Sequence, residues 1–157
     1  DGVTVFEFLK LAYNSLQKAK NPKFTEKSSE ECLKLFTEKL KFLELDDKFL
    51  ERFLNQGFSG GEKKKMEILQ MLLLEPKLAI IDEIDSGLDI DSLKIVAKAI
   101  NDLHKKGATF LIITHYRRIL DYLDNIDQII IMKDGKIAET GSAKLLEKVE
   151  KSGFKEI

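Results

Sequence analysis

The sequence predicts an α/β fold in which a parallel sheet with crossover helices follows a helical N-terminal subdomain. Three observations carry that prediction. Beyond residue 76, short apolar strand-like runs alternate with helix-period segments in the order βαβαβ, a succession that calls for parallel pairing. Residues 1–55 contain no strand-like run, so they are expected to form a helical unit with its border near residue 55. Hydrophobic residues make up 43% and charged residues 34% of the 157 residues, enough for one core and too charged for a membrane bundle.

Taken in order, Val5, Leu9, Ala12, Leu16 and Ala19 recur at steps of four and three, the stripe of an amphipathic helix that Asn21-Pro22 ends. Ser28 opens a second helix, with Glu31 completing a capping box and Leu33, Phe36, Leu40 and Leu43 as its buried stripe. A third helix over 60–74 runs into Glu75-Pro76, and Lys63, Lys64 and Lys65 form its solvated face. Residues 78–81 are a continuous apolar run and read as a strand buried on both faces. Leu93, Val96, Ile100 and Leu103 mark the next helix, stopped by Gly107, before a strand over 109–113. A helix near 116–123 and a third parallel strand over 128–132 follow. Asp134-Gly135 is a two-residue hairpin signal that adds one antiparallel strand, and a last helix is expected from Ser142 to Gly153.

Lys plus Arg number 26 against 27 for Asp plus Glu, a net charge of −1, so no global field attracts nucleic acid or anionic lipid. Without an aromatic stacking platform as well, no nucleic-acid partner is expected. The apolar runs are far shorter than the roughly 18 residues of a span, so no direct membrane insertion is expected. Cys32 is the only cysteine, which excludes an intramolecular disulfide framework and suits a reducing compartment. The chain starts at Asp1 without a signal-like segment and is expected to be an excerpt or a processed product.

Four segments carry chemistry. Ser59-Gly60-Gly61-Glu62 reads as a capping box, but two glycines in a first helical turn cost stability and permit a ligand to approach bare backbone. Amides at a helix N-terminus, joined by a Ser hydroxyl, form a phosphate site, and a polyphosphate is the natural ligand. Asp82-Glu83 ends an apolar strand at the carboxyl edge of a parallel sheet, where such folds bind ligands, although a strand can also simply end in solvated acids. The chemical reading divides the pair: Asp82 holds Mg²⁺ through water, and Glu83 orients the attacking water. In residues 85–91, Gly87 supplies a turn, and Asp89 or Asp91 either caps the next helix or, at Asp89, contacts another subunit. His115 follows a buried strand on the same sheet edge as Asp82 and Glu83, where it could bond a γ-phosphate or position water. His104, within a helix, reads as structural.

Together, Ser59-Gly60-Gly61-Glu62, the strand ending in Asp82-Glu83, then Ser86-Gly87-Leu88-Asp89 and finally His115 resemble the signature, Walker B, D-loop and switch histidine of the ABC-type ATPases. Gly57-Phe58-Ser59-Gly60-Gly61-Glu62-Lys63-Lys64-Lys65, Glu67-Ile68-Leu69-Gln70, Asp85 to Asp91 and Thr114-His115-Tyr116 narrow the likeness to the SufC group, the ATPases of SUF iron–sulfur cluster assembly. It runs from Gly2-Val3-Thr4 to Lys151-Ser152-Gly153-Phe154. Transporter ATPases more often have Leu, Gln and Asp where this chain has Phe58, Glu62 and Tyr116, and Lys65-Met66 stands where Arg-Asn is common in SufC.

The resemblance implies the rear half of a P-loop ATPase core over 56–157 beside a helical subdomain over 1–55. It also implies ATP and Mg²⁺ as cofactors, an ATP-dependent homodimer and SufB/SufD-like scaffold partners, in a cytoplasm or plastid stroma. Glu83 would be general base and His115 γ-phosphate sensor, Asp82 the Mg²⁺ ligand, and Ser59, Gly60, Gly61 and Asp89 would contact nucleotide or partner subunit. No Gly-x-x-x-x-Gly-Lys-Ser/Thr occurs in the chain, so the fragment is expected to be inactive alone, with the P-loop carried ahead of it. The core strands would then lack neighbours, and the fragment is expected to be marginal as a monomer or to self-associate. The alternatives are a nucleotide-binding subunit of a transporter and a catalytically silent partner-binding fragment.

Overall fold

The computed structural model describes residues 2–115, 117–146 and 148. Tyr116, the expected stop of the last helix at Gly153 and the stretch 151–154 lie outside them. Helices α1 (Val5–Lys20), α2 (Ser29–Phe42), α3 (Gly60–Leu74) and α4 (Ile90–Lys105) surround strands β1 (Leu78–Asp82) and β2 (Thr109–Ile113), and β3 (Ile129–Lys133) and β4 (Lys136–Gly141) form a terminal hairpin.

Local chemistry sets most of these boundaries. Capping boxes start three helices: Thr4 with Glu7, Ser28 with Glu31, and Ser59 with Glu62. Each hydroxyl accepts from an N–H that the helix leaves orphaned, and each carboxylate accepts from the cap's own N–H. At the far end of α3, Glu75 turns left-handed at φ 42°, and Lys20 on α1 donates to the carbonyls of Leu74 and Glu75. Gly107, at φ +96°, ends α4 through bonds from Gly107 N to His104 O and from Ala108 N to Leu103 O, a Schellman closure.

The helix faces follow the apolar periodicity with one rotation. In α2 the buried positions are Cys32, Phe36 and Leu40, continued by Leu43, whereas Leu33 is 48% exposed. Steps of four from Cys32 satisfy the same periodicity as a stripe from Leu33, and packing against α1 and α3 selects the former. Along α1 the buried stripe fades, with Val5 and Leu9 buried and Ala19 exposed. One apolar cluster runs from Val5 through Phe36, Leu69 and Val96 to Ile119, so α1 and α2 share a core with α3 and α4. The N-terminal region also has one strand-like bridge, between Thr4 and Phe53, which brings the chain before α1 alongside the segment leading to α3.

β1 and β2 pair in parallel with Leu78 opposite Thr109 and Asp82 opposite Ile113. Contrary to the sequence expectation, β1 is buried on one face only: Ile81 packs inward, whereas Leu78 is 58% and Ile80 66% exposed. Leu111 and Ile113 continue that open face on β2, and no described residue covers it. The sheet also stops at two strands among the described residues, since β3 pairs with β4 and not with β2. The expected helix near 116–123 reduces to a 3-10 turn, Leu120–Tyr122, anchored by buried Ile119. The hairpin forms as read: Asp134 (φ 49°) and Gly135 (φ 73°) both adopt the left-handed conformation of a type I′ turn.

An apolar sheet face of this kind drives association in water. The 157-residue chain studied alone should therefore sediment as a self-associating species at micromolar concentration. A stable monomer would contradict this.

Candidate functional site

The site is built from the tips of β1 and β2 and the N-terminus of α3. β1 ends at Asp82, whose exposed carboxylate stands beside Ile113 of β2. The next residue, Glu83, adopts φ 48° while its N–H still donates to Ile113 O at 2.9 Å. This left-handed step turns the Glu83 side chain off the strand toward the end of β2. There His115 Nδ1 lies 3.2 Å from Glu83 Oε1, and both side chains are 52% exposed. A carboxylate and an imidazole from neighbouring parallel strands thus meet at the sheet's carboxyl edge, open to solvent.

Behind this pair, Thr114 donates to Asp85 Oδ2 at 2.8 Å, and Asp85 is only 3% exposed. This buried hydroxyl–carboxylate bond links the segment after β1 to the segment after β2, next to Glu83 and His115. Gly87, at φ +75°, then redirects the chain into Asp89, which caps α4 by accepting from Ser92 N at 2.7 Å. Of the two capping candidates, Asp89 takes the role and Asp91 lies within the first turn. The Ser92 amide, first among its causes, holds the Asp89 carboxyl below the usual range.

At the start of α3, Ser59 and Gly60 are exposed, and a Cβ added to Gly60 or Gly61 would meet nothing within 4 Å. The space beside both glycines is therefore open, while the Glu62 N–H of the same turn donates to the Ser59 hydroxyl at 3.2 Å. Lys64, one turn further on, donates to the Glu83 carbonyl at 3.3 Å and so places α3 beside the tip of β1. Lys63 is exposed, while Lys64 and Lys65 are half-buried, so the lysine run is not uniformly solvated. His104 bonds through Nδ1 with the Ala108 carbonyl at 3.0 Å, a local structural contact.

Two contributors carry no sequence motif of their own. Asp85 was visible as a polar turn residue, but its burial and its bond to Thr114 depend on pairing between strands. Arg52, ten residues before Glu62 and outside any motif, forms an ion pair with that carboxylate and donates to Gly57 O at 2.8 Å.

Among the described residues no three His, Cys, Asp or Glu side chains cluster to hold a metal by themselves. Asp82 offers a single exposed carboxylate. That fits Mg²⁺, which binds through one or two carboxylates plus phosphates and waters, and does not fit an all-protein metal cage. A surface depression of about 470 Å³, lined by Phe8, Leu54, Lys63, Met66, Glu67 and Gln70, includes none of the predicted site residues. The site is an open rim, a shape that suits completion by a second surface.

The carboxylates that cap helices give a pH signature. Glu7 and Glu31 are held below the ordinary range chiefly by the backbone N–H groups of Thr4 and Ser28, and Glu62 first by Arg52 and then by the Ser59 N–H. A depressed folded-state pKa contributes stability that is present above the unfolded value, about 4 to 4.5, and is lost as pH falls through the folded value. The thermal midpoint should hold level from pH 7 to about 5 and fall below about 4. A midpoint unchanged at pH 3 would contradict it.

A family model described as "ABC transporter" matches residues 2–86. The chain belongs to the ABC transporter family. Curated relatives within this ABC family include a probable ATP-dependent transporter, ycf16, of Trieres chinensis, 47% identical over 98% of this chain and 60% of its own length. Vegetative protein 296 of Bacillus subtilis is 44% identical over 98% of this chain and 57% of its own. The chain thus spans about three-fifths of the relatives it matches. The solved ATP-binding subunit of an ABC transporter aligns with TM-score 0.71 and 28% identity, over 95% of this chain and 57% of that one. A dimeric bacterial ABC transporter cassette aligns with TM-score 0.70 at 24% identity, over 89% of this chain and 56% of that one, a likeness of fold. Among the described residues no helix is long and apolar enough to cross a membrane.

Proposed function

We propose that the parent of this ABC-family chain is an ATP-hydrolysing cassette of the SufC type, driving iron–sulfur cluster assembly on a SufB/SufD-like scaffold in a cytoplasm or plastid stroma. The observation that carries the ATPase reading is the Glu83–His115 pair, 3.2 Å apart at the sheet edge. The glycine turn that opens α3 supports it, with Lys64 of that helix donating to the Glu83 carbonyl at 3.3 Å. In this reading residues 56–157 supply the rear of the catalytic core and residues 1–55 its helical subdomain.

Glu83 accepts a proton from the attacking water, and His115 orients the Glu83 carboxylate and senses the γ-phosphate. Asp82 holds Mg²⁺ through water; when bound, the ion offsets phosphate charge in the transition state. Gly60 and Gly61 present amides, joined by the Ser59 hydroxyl, to the γ-phosphate held by a second subunit, and Asp89 lies across that subunit boundary. The P-loop absent from these 157 residues is assigned to the remainder of the parent protein. Hydrolysis then requires two copies, and closure around two ATP molecules supplies the mechanical step.

The SUF assignment rests on the motif run from Gly57 to Lys65 with Asp85 to Asp91. A second reading, the nucleotide-binding subunit of a membrane transporter, is favoured by the names of relatives such as the probable ABC transporter ATP-binding protein of Streptococcus pyogenes, 46% identical. Affinity capture of the full-length protein from its native cells tests between them. Recovery of soluble SufB/SufD-like scaffold proteins supports the first reading, and recovery of a transmembrane subunit replaces it with the second. The 157-residue chain alone should hydrolyse no ATP; turnover abolished by Glu83→Gln in that chain would refute the division of labour.

A further inference from the structure

The phosphate-facing turn contains a charge that works against its proposed task. Glu62 is the third residue of α3, in the same first turn as Gly60 and Gly61, beside which the space is open. An ionised carboxylate there repels an incoming phosphate. The capping box does not require the charge, since a Gln side-chain oxygen also accepts from a cap N–H.

The structure neutralises this carboxylate from outside the motif. Glu62 Oε2 accepts from Ser59 N at 2.8 Å, and its other oxygen accepts from Arg52 Nη1. Arg52 Nη2 donates to Gly57 O at 2.8 Å, and the guanidinium lies over the Phe58 ring at 4.6 Å and the Phe49 ring at 5.5 Å. One planar cation therefore fixes three points of the turn, at positions 57, 58 and 62, while facing the added negative charge. The Arg52 and Glu62 side chains are about one-third exposed, so solvent only partly screens the pair.

We infer that Arg52 is a positioning residue for nucleotide-driven closure: it cancels the Glu62 carboxylate and locks the Gly57–Glu62 turn so that the α3 amides can donate to an anionic phosphate. This deepens the proposed function and rests on it. The role belongs to a residue that touches no nucleotide and acts through Glu62.

The test uses the full-length protein in a Glu83→Gln background and reads, by sedimentation, the Mg²⁺-ATP concentration giving half-maximal dimer. Arg52→Gln is expected to raise that concentration about tenfold or more, the scale of one uncompensated charge at short range near a protein surface. Adding Glu62→Gln to Arg52→Gln should bring it back to within about threefold of the parent, because the offending charge is gone. Arg52→Lys, which keeps the charge and loses the fork, should fall between. A merely structural arginine would show no recovery in the double variant, and that result overturns the inference. So does an Arg52→Gln protein that closes at the parent's ATP concentration. If Arg52→Gln does not fold, the Arg52→Lys protein with and without Glu62→Gln carries the same comparison. Failure of the Glu83→Gln parent itself to dimerise with ATP would instead count against the proposed function, so the two failures are separable.

Discussion

Replacing Glu83 with Gln in the full-length protein is expected to abolish ATP turnover, by about 10²- to 10⁴-fold, while ATP binding persists. The substitution is nearly isosteric and keeps an oxygen that can accept from His115 Nδ1, 3.2 Å away, so the local geometry has little reason to change. The side chain is half-exposed and is not part of the apolar core, so the thermal midpoint should stay within a degree or two of the parent. What is lost is the capacity to take a proton from water. Unchanged turnover would remove Glu83 from its role.

The second large effect separates function from stability in opposite directions. Gly60 and Gly61 occupy the first helical turn at φ values any residue tolerates, and a Cβ at either would meet no atom within 4 Å. Alanine at either site should therefore stabilise the fold, by roughly 0.5 kcal/mol and up to about 1 kcal/mol, through a less disordered unfolded chain. In the proposed function the same methyl would stand where a phosphate approaches the amides. Turnover should fall by about 10²-fold, the scale of losing one oxyanion donor. A structural reading of the glycines predicts higher stability with unchanged turnover. Measuring thermal midpoint and rate on the same Gly60→Ala protein decides between them.

The elements legible in the sequence are those that local chemistry decides. Ser28 with Glu31 and Ser59 with Glu62 announce helix starts because donor and acceptor lie three residues apart in any context. Gly107 and Asp134-Gly135 announce reversals because both demand left-handed backbone. The convergence of Glu83 and His115 was also legible, since both follow apolar strands that a parallel pairing brings level at one edge.

What the sequence hid is what distant partners decide. Residues 78–81 read as buried on both faces because Leu78, Ala79, Ile80 and Ile81 are uniformly apolar, yet burial requires something packed on each side, and among the described residues only one side is covered. The pairing of β3 with β4 follows from the tight turn between them, whereas its other edge, which the apolar pattern gives to the parallel sheet, meets no strand among the described residues. Leu33 and Cys32 fit the same periodicity, and tertiary packing alone chose between them. Arg52 escaped for a related reason: its partners at positions 49, 57, 58 and 62 are near in the chain but obey no fixed spacing rule.

In the proposed function the glycine turn of one copy and the Glu83–His115 edge of another serve one shared nucleotide. Sedimentation of the full-length Glu83→Gln protein with and without Mg²⁺-ATP tests it most directly. A monomer without nucleotide and a stable dimer with it are expected, the dimer being lost when Gly60→Ala is added. A protein that remains monomeric at saturating ATP, or a dimer that Gly60→Ala leaves intact, would contradict it.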